Sequence, residues 1–217
     1  MHAINSLVRT RFPVLITIFV FLFSMGGCDR QPEQPQPEEP SSKAPTAEPA
    51  TGPLPVWTTD PAVLEKLAGY QDLDNYQIRP PLEYPLARTV APKATIFAWS
   101  GPLRPDQTAP MITIIVAKPM PAQKSPEQIM QDLLDGIKRR RQDWQQSTFE
   151  RGLVNGLAFL RARWSGTEPS KGWNMHGLMY VAQDNDALIQ ISTEDVEPHD
   201  KEALRISEAA ALTFKKN

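Results

Sequence analysis

One cysteine, Cys28, stands in the 217 residues, and it closes the first apolar run of the chain. A lone thiol cannot form an internal disulfide, so the folded part of the chain must be held by its apolar core alone. Directly behind the cysteine comes a stretch that cannot supply such a core: Gln31-Pro32-Glu33-Gln34-Pro35-Gln36-Pro37-Glu38-Glu39-Pro40, continuing through Ser, Lys, Ala, Thr and Glu to Pro55. It has almost no apolar residue larger than alanine until Leu54, too little to offset the entropy of ordering it. Setting aside the apolar leader and this arm leaves roughly 160 residues, one domain's worth and enough to bury a core without staples.

The leader has the layout of an export signal. Arg9 and Arg11 precede an apolar segment from Phe12 to Met25, followed by Gly26, Gly27 and Cys28. The segment has the length of a signal peptide and is short for a bilayer span. The Gly-Gly-Cys ending resembles the lipobox of bacterial lipoproteins, with Met25 standing where leucine is most common. The resemblance implies a diacylglyceryl thioether on Cys28, which becomes the acylated N-terminus after cleavage. Two or three acyl chains, at about 0.8 kcal/mol per buried methylene, hold a protein on a membrane. The expected division is a signal peptide over 1–27, a disordered Pro/Glu-rich tether over 28–55 and a single domain over 56–217. The expected address is outside the cytoplasm, lipid-anchored to a bacterial membrane and facing the periplasm or the exterior. Proline spacing makes the tether a semi-rigid spacer; a proline-rich recognition motif is the alternative.

Net charge is −2, which argues against a general nucleic-acid surface. In the domain, Asp60-Pro61 starts a helix expected to stop at Gly69. Residues 70 to 92 read as irregular because Pro80, Pro81 and Pro85 interrupt them, with Tyr70, Tyr76 and Tyr84 placed to pack over a sheet edge. Lys93 to Trp99 alternates as a strand. Met111-Ile112-Thr113-Ile114-Ile115-Val116-Ala117 is apolar on both faces and reads as a central strand covered on each side. Ser125, Pro126 and Gln128 form a capping box opening a helix with Ile129, Met130, Leu133, Leu134 and Ile137 on one stripe. Lys138 to Arg141 close it; a solvated helix end is favoured over a nucleic-acid or headgroup site, since Asp135 and Asp143 flank the bases.

From Thr148 the pattern becomes a meander. Asn155-Gly156 between apolar runs is a strong hairpin signal. The second arm places Ala158, Leu160, Ala162 and Trp164 inward, opposite Arg161 and Arg163. A loop over 165–172, strands over 173–181 and 187–193, and a terminal helix over about 201–215 complete the domain. The fold class is α+β, an antiparallel sheet flanked by helices. This element order, closing on an alanine-bearing helix near Leu212-Thr213-Phe214, resembles the PsbP-like fold. The resemblance spans about 90–217 and carries no functional residues. It implies an accessory or binding role. The expected partners are the membrane, through lipidated Cys28, and an envelope protein, with no nucleic acid.

Candidate chemistry is sparse. His176 in mid-strand reads as a hydrogen-bonded histidine rather than a ligand. Glu194-Asp195-Val196-Glu197-Pro198-His199-Asp200 gathers carboxylates and an imidazole, either at a helix N-terminus or as a divalent-metal or acid–base site. Arg161 and Arg163 present two guanidiniums on one strand face, to bind an anion or to pair across strands with Glu150. No phosphate loop, nucleophile elbow or zinc-ligand spacing is present, so no cofactor and no catalytic residue is assigned. The reading is a membrane-anchored, non-catalytic binding or accessory module of the cell envelope. The alternative is an envelope enzyme or metal-binding protein built on Glu194–Asp200, with Asp195 and His199 at its centre.

Overall fold

The computed structural model describes residues 52–120 and 124–217. Cys28, the leader and the arm as far as residue 51 lie outside the described residues.

Asp60 caps α1 (Pro61–Leu64), its carboxylate accepting from the Ala62 N–H at 2.9 Å while Pro61 fills a position that needs no donor. The helix expected to reach Gly69 ends early, because Leu67 is drawn into a bridge with Pro81. Residues 70–92, expected to be irregular, contain three strands: β1 (Gln71–Leu73), β2 (Tyr76–Ile78) and β3 (Leu86–Ala91). Asp74 turns β1 into β2 at φ 61°, a conformation that Asp and Asn tolerate better than most residues. Pro80, Pro81 and Pro85 all fall in the link between β2 and β3, so the prolines break the segment without abolishing its strands.

The rest follows in order as β4 (Ala94–Ser100), β5 (Met111–Ala117), α2 (Pro126–Lys138), β6 (Gln142–Gln146), β7 (Glu150–Val154), β8 (Leu157–Glu168), β9 (Trp173–Asp184), β10 (Ala187–Val196), α3 (Asp200–Ala211) and β11 (Lys215–Lys216). Both halves of the α2 capping box are formed: Gln128 N–H donates to Ser125 Oγ, and Ser125 N–H donates to Gln128 Oε1. Asn155 and Gly156 make the hairpin between β7 and β8 with φ of 47° and 86°, the left-handed pair that a two-residue turn requires. Three expectations are corrected. Residues 165–168 continue β8 rather than forming a loop, β6 was not anticipated, and Lys215–Lys216 pair with β2 as a strand instead of ending the last helix.

All pairings between named strands are antiparallel. They build an eight-stranded sheet in the order β3-β4-β5-β10-β9-β8-β6, with β7 also on β8, and a small sheet β1-β2-β11. On one face of the large sheet, α3, α1 and the small sheet enclose the main core. There Trp99, Ile112, Ile114, Tyr180, Phe214, Tyr76 and Leu73 are buried. On the other face, α2 seats Ile129, Met130 and Leu134 on Leu160, Ala162, Trp164, Met179 and Val181. Arg161 and Arg163 lie on the α3 side, where Phe159 on the same strand enters the main core. Ala158, expected inward, is exposed at the sheet end.

The antiparallel α+β sandwich is as expected, with one difference in cover. Ile112, Ile114 and Val116 are buried, but Met111, Thr113, Ile115 and Ala117, on the other face of β5, are only half-buried. The main contacts of α2 fall on β8 and β9, with Leu188 of β10 at the border of its cluster, so α2 stands to the side of β5.

Candidate functional site

The turn from β10 into α3 gathers three of the candidate residues. Asp195 and His176 are directly opposed on β10 and β9, which places both on the α3 side of the sheet. Arg104, in the loop between β4 and β5, reaches across and grips Asp195 in a bidentate pair, Nη1 to Oδ1 at 2.6 Å and Nη2 to Oδ2 at 2.7 Å. The Asp195 side chain is fully buried and that of Arg104 is 18% exposed. Arg104 Nη1 also donates to Thr108 Oγ1, and Thr108 donates through its hydroxyl and its N–H to Asp106. Those bonds hold the Asp106 carboxyl below its ordinary range. Burial, with the charge of Asp195 adding to it, pushes the nearby Tyr84 phenol up to about 12.

His176 is held between carboxylates. Its Nε2 lies 3.2 Å from Glu197 Oε1 and its Nδ1 lies 3.6 Å from Asp200 Oδ2. Asn174 fixes Glu197 from the other side. The two acids meet opposite edges of the ring, so they orient the imidazole and do not share a point with it at which an ion could sit. His199 faces Asp106 at 3.9 Å, away from His176. Among the described residues, no group of three or more His, Cys, Asp or Glu is arranged to hold a metal.

Arg161 and Arg163 meet a single acid, Glu208 of α3. Arg161 Nη1 donates to Glu208 Oε1 at 2.8 Å, and Arg163 Nη2 lies 3.1 Å from the same oxygen. Arg161 also binds Glu150, its opposite number on β7, and its guanidinium stacks over Trp57 at 4.3 Å from the ring centroid. The cross-strand pairing with Glu150 is therefore formed, and the two guanidiniums are turned to the protein's own carboxylates.

Two features stand apart from these clusters. On the α2 side, Trp164, Gly177 and Glu194 form one lateral row over β8, β9 and β10. The Trp164 ring occupies the place a side chain would take at Gly177. Burial pushes the Glu194 carboxyl up, opposed by Arg141 and Arg140. Trp164 Nε1, Arg141 Nε and Thr193 Oγ1 are buried with no hydrogen-bond partner among the described residues. Separately, a mostly apolar cleft of about 200 Å³ lies between the start of α2 and the β8–β9 strands, with Leu54 at its rim and the Arg151–Glu127 ion pair beside it. It is remote from His176 and Asp195. No helix among the described residues is long and apolar enough to cross a membrane.

The sequence names Asp195, His176, His199, Arg161 and Arg163, with Glu150 as a cross-strand partner, but gives no sign of Arg104 or Glu208. Arg104 sat in a proline-rich loop and Glu208 on an alanine-rich helix, and neither carries a local signal. The acidic run of Glu197 and Asp200, and Glu150 opposite Arg161, are the partners that the sequence brings into view.

The chain matches no family model and no curated protein. Its structure is similar to that of LpqN of Mycobacterium tuberculosis, described as involved in cell envelope biogenesis, with a TM-score of 0.50 and 11% identity over 74% of this chain and 98% of that one. It is also similar to the cyanobacterial PsbP protein of Synechocystis sp. PCC 6803, with a TM-score of 0.46 and 10% identity over 79% of this chain and 98% of that one. At such identities the likeness is one of fold.

Proposed function

We propose that the protein is a lipoprotein of the cell envelope, exported by residues 1–27, anchored to a membrane through acylated Cys28, spaced from it by residues 28–55, and carrying over 56–217 a non-catalytic binding or accessory module. The observation that supports a binding role is the pairing of the candidate groups. Asp195 is neutralised by Arg104, His176 lies between Glu197 and Asp200, and Arg161 and Arg163 are drawn to Glu208. Catalysis by acid and base needs groups that converge on a substrate atom; these groups converge on one another. The anchor rests on the leader, whose apolar run, small residues and lone cysteine stand in lipobox order. LpqN, described as involved in cell envelope biogenesis, has a similar fold, which loosely supports an envelope role.

The anchor is tested by Cys28→Ala with membrane fractionation and metabolic acyl labelling. The expected result is label in the wild type alone and release of the variant from acyl-dependent retention. Retention of the variant with no label in the wild type would remove the anchor. Thermal melting against a panel of divalent metals tests the non-catalytic reading. No shift is expected, and a metal-dependent rise in Tm abolished by Asp200→Asn with His176→Ala would restore the metal-binding alternative.

A further inference from the structure

The eight-stranded sheet ends differently at its two edges. At one, β6 slips register between Gln142 and Gln145, and residues 55–57 lie along β7. Both features hinder the pairing of a further strand. At the other, β3 pairs with β4 without a break from Leu86 to Ala91, and no described strand lies beyond it. This edge has no lysine, proline or bulge to blunt it. Leu86 and Val90 are instead 44% and 69% exposed, both on the α3 side of the sheet, in the rows of Trp99 and Thr95. The one charge of β3, Arg88, is folded back over its own protomer. Its guanidinium lies 5.5 Å from the ring centroid of Phe97 on β4 and binds Asp74 at 2.9 Å.

The ladder fixes which backbone groups of β3 point outward. Lys118 N–H donates to Lys93 O, and Gly101 N–H donates to Pro110 O, one at each end of the β4–β5 pairing. The odd-numbered residues of β4 therefore turn their hydrogen-bonding groups to β5, and Ala94, Ile96 and Ala98 turn theirs to Ala91, Thr89 and Ala87 of β3. Leu86, Arg88 and Val90 are left with N–H and C=O directed away from the sheet. None of these groups has a hydrogen-bond partner among the described residues. The chain's own arm does not fit them. Residues 29–53 hold no apolar side chain larger than alanine to lie against Leu86 and Val90, and their frequent prolines cannot donate to a ladder.

We infer that β3 is the pairing edge for a second copy of the chain, antiparallel about a two-fold axis that passes through Arg88 normal to the sheet. The outward residues read apolar, Arg, apolar in either direction, so the edge is its own complement. Leu86 of each copy lies opposite Val90 of the other, and every outward pair exchanges two hydrogen bonds. The two Arg88 side chains do not collide at the axis, because each stays on its own Phe97 and Asp74. The six residues of β3 fall short of the roughly 800 Å² that each partner gives to a standard interface. The pairing is therefore a weak, concentration-dependent self-association that joins two sheets into one. It goes beyond the binding-module reading and does not depend on the anchor.

The test is disulfide trapping of the full-length chain in its envelope under mild oxidation, read on non-reducing gels against the wild type, which gives the background from Cys28. Arg88→Cys is expected to form a reductant-sensitive dimer, because the axis brings its Cα atoms to about 5.5 Å, within disulfide reach. Thr89→Cys alone is expected to stay at background, since an offset of two residues holds its Cα atoms about 8 Å apart, beyond that reach. Two differently tagged chains, one Ala87→Cys and one Thr89→Cys, are expected to join each other when co-expressed. That pair checks the register with Leu86, Arg88 and Val90 intact. Adding Val90→Lys to both chains is expected to lower the trapped dimer about tenfold with little change in Tm. Equal trapping at Arg88→Cys and Thr89→Cys overturns the inference. So does no trapping in the register-matched pair, indifference to Val90→Lys, or capture of a different protein. Acyl labelling of Cys28 is followed in the same cells, so failure of the edge and failure of the anchor are read separately.

Discussion

Arg104 and Asp195 lie 91 residues apart in the chain and close on each other through two hydrogen bonds of 2.6 and 2.7 Å. The pair fastens the loop between β4 and β5 to the end of β10. With the Asp195 carboxylate fully enclosed, Arg104→Ala leaves a buried charge unpaired, a change that costs about 3–5 kcal/mol. Urea denaturation is the measurement. The double variant Arg104→Ala/Asp195→Ala is expected to lose less than Arg104→Ala alone, since it removes the stranded charge.

Glu194 carries a pH signature. Its unfolded carboxyl titrates near the ordinary value of 4.5, and burial raises the folded one above that. Below the unfolded value both states hold the proton and the site costs nothing. As pH rises the unfolded chain ionises first, and stability falls until the folded carboxyl has ionised too. Glu194→Gln is therefore expected to melt above the wild type at pH 7, with the difference shrinking toward pH 4. Parallel melting curves across that range would contradict the placement of Glu194.

Gly177 is fixed by what lies above it. A Cβ there would stand 2.5 Å from the Thr193 carbonyl and 2.5 Å from the Trp164 ring. Both contacts are too short to stand, so Gly177→Ala must shift the β9–β10 backbone and displace the indole with part of the α2 cluster. Overpacking of this kind costs about 1–3 kcal/mol. The expected readout is a lower Tm with a changed Trp fluorescence spectrum, because Trp164 also stacks on Trp144 at 5.6 Å.

What was legible in the sequence was what a few neighbouring residues decide. Ser125, Pro126 and Gln128 fix the start of α2, and Asn155-Gly156 fixes a turn, because each signal and its partner lie within one turn of chain. Inside 70–92, β1 and β2 were hidden because three-residue strands carry no period, and the six residues of β3 lack an apolar alternation. Lys215 finds β2 only once the whole domain has closed. The candidate charges were recognised as such, but their state was set by Arg104, Glu208 and Asp106, which share no local pattern with them. The apolar character of β5 was legible in composition, and the elements around it were not: alternation tells which side chains want burial, not which element arrives to bury them.

The last prediction concerns where the chain enters the domain. Leu153 N–H donates to Pro55 O at 2.8 Å, and Trp57 N–H donates to Leu153 O at 2.9 Å, so residues 55–57 run along β7 as a short parallel addition. Trp57 secures that contact. Its ring fills the space over Gly152, meets Tyr180 edge-on at 6.1 Å, and lies under the guanidinium of Arg161. Trp57→Ala removes the apolar contact and the cation–π stacking together, for about 2 kcal/mol of stability. Because Arg161 keeps Glu150 and Glu208, the sheet itself is expected to hold. Hydrogen exchange separates the two effects. In the variant the Leu153 amide should lose its protection while the amides of β9 and β10 keep theirs. Equal loss in all of these strands would mean that Trp57 supports the whole core, and unchanged Leu153 protection would mean that the backbone pairing stands without it. The local outcome would identify Trp57 as the clamp through which any pull on the preceding arm reaches the folded domain.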